Sequence, residues 1–165
     1  MTSMTDNPRS TTGGGFTASA SLGEDLQQIL VDLIALQLQA KQAHWNVVGR
    51  NFRDLHLQLD EITDVSRGAA DTIAERMRSI GKVADGRAPT VTGTASLTPL
   101  PAGELGTTMM VDLITDSMRT VVAGIRRVHD GVDHEDPSTS DLLHGIVAEL
   151  EKQAWMLSEE NRVPE

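Results

Sequence analysis

The sequence has no cysteine and no tyrosine, and it contains only two Phe and two Trp. Without cysteine, the chain can form neither a disulfide nor a thiolate metal site, so a bound metal would have to use histidine and carboxylate ligands. No segment approaches the run of about 18 apolar residues that a transmembrane helix needs. The opening residues MTSMTDNPRS also lack the apolar core of a signal peptide. We therefore expect a cytoplasmic protein with no membrane partner.

Basic residues are scarce as well, since 14 Lys and Arg face 24 Asp and Glu and the net charge is −10. Binding to nucleic-acid phosphates requires clustered Lys and Arg. The N-terminal segment carries a single Arg, Arg9, and no Lys, and the last residues of the chain are acidic. We expect DNA binding to be weak or absent, and association with the nucleoid in the cell stays open.

The 165 residues correspond to one folded domain with a tail at each end. Residues 1–21 consist largely of Ser, Thr and Gly and bury too little apolar surface to offset the entropy of ordering, so we predict a flexible N-terminal tail. Residues 22–160 carry apolar side chains at helical spacing and form the predicted domain. Residues 161–165 form a short C-terminal tail.

Two helices are predicted in the first half of the domain. The first begins at Ser21, which can act as N-cap with Glu24 as its capping-box partner, and it ends before Gly49. The second runs from about residue 51 to residue 80 with apolar residues three and four positions apart. This spacing indicates packing against near-parallel or antiparallel helices. Arg76 breaks the apolar series.

Residues 81–106 are rich in Gly, Pro and Thr and form a connection that is long for a helical hairpin. Such a connection lets the second and third helices lie parallel. The third helix is predicted over about residues 107–133, and the last begins after the loop 133–137 with Ser138 or Ser140 as its cap. Because no segment has a convincing strand period, the predicted fold class is all-α, a four-helix bundle with one long crossover between helices two and three.

The second helix carries polar side chains off its apolar seam, at His56, Asp60, Asp71 and Glu75. One interpretation is an ordinary solvated outer face, because charged residues usually lie there. The other is metal binding, since Asp71 and Glu75 are neighbours at i and i+4 and can share a metal. His44, near the end of the first helix, can approach His56 across the turn at Gly49.

A metal site that combines these groups cannot lie within one chain. His56 and Asp71 are separated by about 22 Å along a helix that rises about 1.5 Å per residue. If two copies of the second helix pack antiparallel about a two-fold axis, His56 of one chain lies level with Asp71 and Glu75 of the other. Gly68, close to the midpoint, would permit close approach. A two-fold contact would create two equal sites per dimer.

Three segments of the sequence resemble the Dps family, the mini-ferritins named for DNA-binding proteins from starved cells. HWNVxGxxFxxLH at residues 44–56, followed by Asp60, is similar to the first signature of that family. DxxAER at residues 71–76 looks like its second block, and residues 140–157 look like its last helix. The resemblance covers residues 22–160 and favours the metal interpretation over a solvated face.

The resemblance implies a ferritin-like bundle that assembles into a hollow dodecamer. It also implies a ferroxidase centre at each two-fold contact, with His44 and His56 from one subunit and Asp71 and Glu75 from its mate. Asp60 would hold or bridge a second iron. Hydrogen peroxide is the implied oxidant of Fe²⁺, and a ferric oxide core stored in the cage is the implied product. This chemistry would protect the cell from oxidative damage.

Further acidic residues have weaker parallels in the family. Glu61 is a candidate for mineral nucleation, although Leu57 stands where the family often has an additional carboxylate. Asp141 and Asp136 lie where acidic residues line a three-fold pore in the family, and a ring of carboxylates would attract cations. The favourable effect of an acid at a helix start explains Asp141 equally well.

Other residues and other functions give alternatives to a ferroxidase. His129, His134 and His144 have no carboxylate partner that matches the family pattern and are interpreted as ordinary surface or packing residues. The same ligand set would also permit metal-dependent hydrolysis with Zn²⁺ or Mn²⁺. A DNA-condensing structural protein is the third hypothesis, and the lack of basic tails disfavours it.

Overall fold

The computed structural model describes residues 15–163, and residues 1–14, which make up most of the predicted N-terminal tail, lie outside the described residues. The helices are α1 (Ala20–Asn46), α2 (Phe52–Ser79), α3 (Ala88–Thr94), α4 (Thr107–Glu135) and α5 (Pro137–Ser158), followed by a 3₁₀ turn (Glu159–Asn161). Two short strands, β1 (Val47–Val48) and β2 (Leu105–Gly106), pair in parallel. The sequence period did not predict these strands, because two residues are too few to show one.

Four long helices form a bundle in which α1 packs against α2 and α4, and α5 packs against α4 and α2. Each of them contributes fully buried apolar side chains to one core, including Leu33, Leu36, Leu59, Ile62, Ile73, Ile114, Ile125 and Leu143. The predicted all-α four-helix bundle with one long crossover is confirmed. In residues 15–163, no helix combines the length and the apolar character that crossing a membrane requires.

Helix α1 begins two residues earlier than predicted. The N-cap is Ser19, whose Oγ accepts a hydrogen bond from the backbone N–H of Leu22 at 3.1 Å, so the predicted cap at Ser21 is wrong. Ser19 also donates its backbone N–H and its hydroxyl to the Glu135 carboxylate, both at 2.7 Å. These hydrogen bonds lower the pKa of Glu135. Hydrogen bonds to Glu135, at the far end of α4, therefore favour Ser19 as the N-cap.

The crossover between α2 and α4 is fastened to α1 by polar side chains. Asp32, which is buried in α1, accepts a hydrogen bond from the backbone N–H of Ser96 at 2.6 Å. The side-chain amide of Gln39 donates to the carbonyl of Thr98 at 2.9 Å, and Gln27 exchanges two hydrogen bonds with the backbone of Asp85. The long connection consequently follows the outside of α1 and carries the short helix α3 with it.

Arg76, which interrupts the apolar seam of α2, forms an ion pair across the bundle. Its Nη2 lies 2.6 Å from Oδ2 of Asp136, and its Nε donates to the Thr139 hydroxyl at 2.8 Å. Asp136 is the single residue between α4 and α5, and α5 begins at Pro137. The predicted caps at Ser138 and Ser140 are therefore wrong, because both residues already lie within the helix.

Candidate metal centre

The turn between α1 and α2 brings His44 and His56 into contact. Gly49 has a φ of 125° and Asn51 a φ of 59°, so two residues in the left-handed region reverse the chain within a few positions. The two imidazole rings stack with their centroids 3.6 Å apart. His44 is buried, whereas His56 is half-buried. The sequence-based expectation that these two residues approach each other agrees with this geometry.

The backbone holds both imidazoles in one tautomer. Nδ1 of His44 lies 2.7 Å from the carbonyl oxygen of His56, and Nδ1 of His56 lies 2.9 Å from the carbonyl oxygen of His44. A carbonyl oxygen can only accept a hydrogen bond, so each Nδ1 must carry the proton. In the neutral imidazole, each Nε2 then carries the lone pair. Metal-binding histidines are commonly oriented in this way, through a hydrogen bond from the nitrogen that does not bind the metal.

Asp60 lies one turn after His56 and is held by a lysine. Oδ1 of Asp60 forms a short ion pair with Nζ of Lys41 and lies 4.0 Å from Nδ1 of His44. The hydrogen bond from Lys41 lowers the pKa of Asp60, and its carboxylate is about half exposed. Asp60 is therefore an anion beside the histidine pair. Lys41 was missed in the sequence, although its position three residues before His44 places it on the same helical face.

Asp71 and Glu75 lie toward the opposite end of α2 from His56. Both side chains are exposed, and neither carboxylate forms an ion pair with another residue of 15–163. The separation of 15 residues from His56 corresponds to about 22 Å along the helix. In the part of the chain that the structure describes, no three His, Asp or Glu side chains come close enough to hold one ion. The single chain thus carries two separate half-sites, one of imidazoles with Asp60 and one of carboxylates.

Exposed apolar side chains surround the histidine half-site. Trp45, Phe52 and Leu57 are 67%, 45% and 49% exposed. The Phe52 ring also lies 5.2 Å from that of His56. A group of large exposed apolar side chains on one part of a protein surface is typical of a contact surface. The helical period predicts Phe52 in the apolar seam of α2, and its exposure shows that this assignment is wrong.

The remaining candidate acids fall into two groups. Glu61 and Asp141 are exposed, and Asp141 is the fifth residue of α5, just beyond its first turn. Asp136 is buried in its ion pair with Arg76. Burial opposes ionisation of Asp136, but hydrogen bonds from Thr139 and Arg76 outweigh it and lower its pKa. The carboxylate of Asp136 is therefore already paired with Arg76. Of the two predicted pore residues, only Asp141 is exposed.

Comparison with known proteins agrees with the observed fold. A model of the ferritin-like domain matches residues 23–162. DNA protection during starvation protein 2 from Deinococcus radiodurans is 37% identical over 80% of this chain and 55% of its own length. DNA protection during starvation protein from Brevibacillus brevis is 32% identical over 80% of this chain and 89% of its own length. This chain belongs to the Dps family. Dps from Microbacterium arborescens in its high-iron form superposes with a TM-score of 0.82 at 29% identity, covering 88% of this chain and 98% of the other.

The family has a general character in iron metabolism. Dps proteins are ferritin-like proteins, and the family as a whole is one of iron storage and protection from oxidative damage. The chain spans just over half of the length of the Deinococcus relative and most of that of the Brevibacillus relative.

Proposed function

We propose that this Dps-family chain is a ferroxidase that oxidises Fe²⁺ at sites shared between two subunits. One observation carries the proposal. The backbone carbonyls of His44 and His56 orient both imidazoles and leave Nε2 without a partner in the chain, while the carboxylates of Asp71 and Glu75 are exposed farther along the helix that carries His56. Each chain therefore has two half-sites that need a partner.

A two-fold antiparallel contact between two copies of α2 would supply that partner. It would place the histidine half-site of one chain beside Asp71 and Glu75 of the other, at both ends of the contact. Gly68 supports this arrangement, since a Cβ added there would meet nothing within 4 Å of its own chain. The folded chain does not need a glycine at this position, whereas a close helix contact would. The exposed Trp45, Phe52 and Leu57 would be covered by the same contact.

The ligands suit ferrous iron as a substrate. Fe²⁺ binds imidazole and carboxylate, and a site with open positions admits an oxidant. Two ferrous ions each give one electron to one molecule of hydrogen peroxide, which takes up two protons and leaves as two molecules of water. The two ions become ferric, and no hydroxyl radical is released. Asp60 would bind the second ion once its ion pair with Lys41 opens.

The wider assembly and setting are part of the proposal. We place the dimers in a hollow dodecamer in the cytoplasm that stores ferric oxide, with cations entering past Asp141 and nucleating at acids such as Glu61. A strongly acidic surface would repel DNA at physiological salt, so DNA binding would be weak or absent.

Peroxide-dependent oxidation of Fe²⁺ tests the activity. The native chain should show a fast rise in near-ultraviolet absorbance when peroxide is added to anaerobic Fe²⁺ and protein. Asp71→Asn should lose most of this rate, because it replaces an anionic ligand by a neutral amide. Asp116→Asn is the matched control, since Asp116 is an exposed acid of α4 paired at 3.6 Å with the exposed Arg119. Equal rates in the native chain and Asp71→Asn would contradict the proposal.

A further inference from the structure

A second pair of histidines meets on the outside of the bundle, away from the candidate metal centre. His129 of α4 and His144 of α5 approach until their Nε2 atoms are 2.6 Å apart, with ring centroids 4.6 Å apart. His129 is half-buried and His144 is exposed. From the sequence both are interpreted as ordinary surface or packing residues, because their contact depends on how two helices pack and not on spacing within one helix.

The geometry of this pair limits which ring nitrogens can carry a proton. Two facing N–H groups at 2.6 Å would repel, so at least one Nε2 must present a lone pair. Oδ1 of Asp130 lies 3.3 Å from Nδ1 of His129, and a carboxylate accepts a hydrogen bond. The proton of neutral His129 therefore belongs on Nδ1, and its Nε2 is the nitrogen with the lone pair. A carboxylate behind a histidine is also a common companion of metal ligands.

A third polar group competes for the same lone pair. The Ser140 hydroxyl lies 3.0 Å from Nε2 of His129, on the side of α5. One lone pair thus faces two neighbours, His144 and Ser140, and can satisfy only one of them as a hydrogen-bond acceptor. A cation between the two imidazoles would use the lone pairs of both, and the Ser140 hydroxyl would then turn to solvent.

The separation of the two nitrogens lies close to that of two imidazoles on one ion. Metal–nitrogen bonds of about 2.0–2.1 Å place two ligand nitrogens about 2.9 Å apart at a right angle and about 3.3 Å apart in a tetrahedron. The observed 2.6 Å must therefore widen by less than 1 Å. His144 is exposed and has room for this small rotation.

The surroundings leave the site open to a cation from solvent. The pair lies in a surface groove that is also lined by Arg126 and Glu151. The Arg126 guanidinium is paired with the Glu151 carboxylate at 2.6 Å, so its positive charge is compensated. Water can fill the remaining coordination positions.

We infer that His129 and His144 form a binding site for a divalent transition-metal ion of the Zn²⁺ and Cu²⁺ class. Imidazole nitrogen suits these ions, whereas Mg²⁺ and Ca²⁺ prefer oxygen ligands. The site lies between α4 and α5, and its ligands are distinct from those of the proposed ferroxidase centre. It does not depend on that proposal.

Calorimetric titration of the full chain with Zn²⁺ tests this inference. Binding at His44 and His56 contributes equally to every variant, so the comparison isolates the new site. His144→Ala and His129→Ala should each bind one equivalent of Zn²⁺ per chain fewer than the native protein. His134→Ala, which removes an exposed histidine of α4, should bind the native number. If His144→Ala and the native protein bind equal numbers, the pair is only a hydrogen bond between imidazoles and the inference is wrong.

Electron paramagnetic resonance with Cu²⁺ provides a second readout. The signal that His144→Ala loses should show coupling to two imidazole nitrogens in the native protein. His129→Gln, which keeps a polar side chain of similar reach, should lose the same signal without a change in helicity. A Cu²⁺ spectrum unaffected by either substitution would overturn the assignment.

Discussion

Mixing two inactive variants should restore iron oxidation if each site is shared between two chains. In a dimer of His56→Ala chains, both sites lack an imidazole, and in a dimer of Asp71→Ala chains, both lack a carboxylate. A mixed dimer contains one site with both losses and one site with neither. The intact site combines the histidine half of the Asp71→Ala chain with the acidic half of the His56→Ala chain.

The size of the recovery follows from random pairing. When equal amounts of the two variants are unfolded together and refolded, about half of the dimers are mixed, and each mixed dimer has one intact site of two. About a quarter of all sites are then complete. The initial rate of peroxide-dependent Fe²⁺ oxidation should accordingly approach a quarter of the native rate, while each variant refolded alone stays near the uncatalysed rate.

A second mixture controls for nonspecific rescue. His44→Ala and His56→Ala damage the same half-site, because the two rings stack with centroids 3.6 Å apart in one chain. No mixture of these two chains contains a complete set of ligands, so its rate should stay at the level of its parents. Recovery in this control, or no recovery in the mixture of His56→Ala and Asp71→Ala, would refute the shared site.

Three further changes probe the assembly, the core and the entry of iron. Gly68→Leu should abolish the dimer without unfolding the chain. Gly124→Leu is the control, because a Cβ at Gly124 also meets nothing within 4 Å, and it should leave the dimer intact. Sedimentation measures the oligomeric state of both variants. Asp136→Asn should lower the free energy of unfolding at neutral pH by about 2–4 kcal/mol, since it leaves the partly buried Arg76 without its anion. Because the folded pKa of Asp136 is lowered, its contribution is complete above the unfolded pKa near 3.8 and fades as the pH falls through the folded pKa, so denaturation curves of native and variant should converge in acid. Asp141→Asn should slow iron uptake into the cage while leaving peroxide consumption per bound iron unchanged, and unchanged uptake would exclude the pore role.

Much of the fold was predictable because helix periodicity is a local signal. The spacing of apolar residues in α2 predicted both its length and its packing against near-parallel or antiparallel neighbours. The helix starts were less predictable, since their caps depend on distant groups. Ser19 rather than Ser21 is the N-cap, and Ser19 is held by hydrogen bonds to Glu135, which is 116 residues away. The interruption at Arg76 likewise had no local explanation, because its partner Asp136 comes from the junction of α4 and α5.

The sequence was enough to name the candidate ligands, but the orientation of the two imidazole rings could not be predicted from it. The sequence places His44 and His56 on either side of a turn. It cannot show that each Nδ1 donates to the backbone carbonyl of the other residue. That exchange depends on the geometry of Gly49 and Asn51 in the turn. The encounter of His129 with His144 was missed for a related reason, since side chains on different helices carry no shared period.

Division of the ferroxidase site would give assembly a direct role in the chemistry. A separate chain would offer iron either two rigid imidazoles beside Asp60 or two exposed carboxylates, and neither set alone completes the site. Fe²⁺ would then be bound well enough for oxidation only where a second subunit closes the contact around Gly68. If that contact also helps to build the proposed cage, the oxidised iron would be formed next to the interior that stores it. The backbone-fixed imidazoles favour this order of events, since they are already oriented before the carboxylates of a partner arrive.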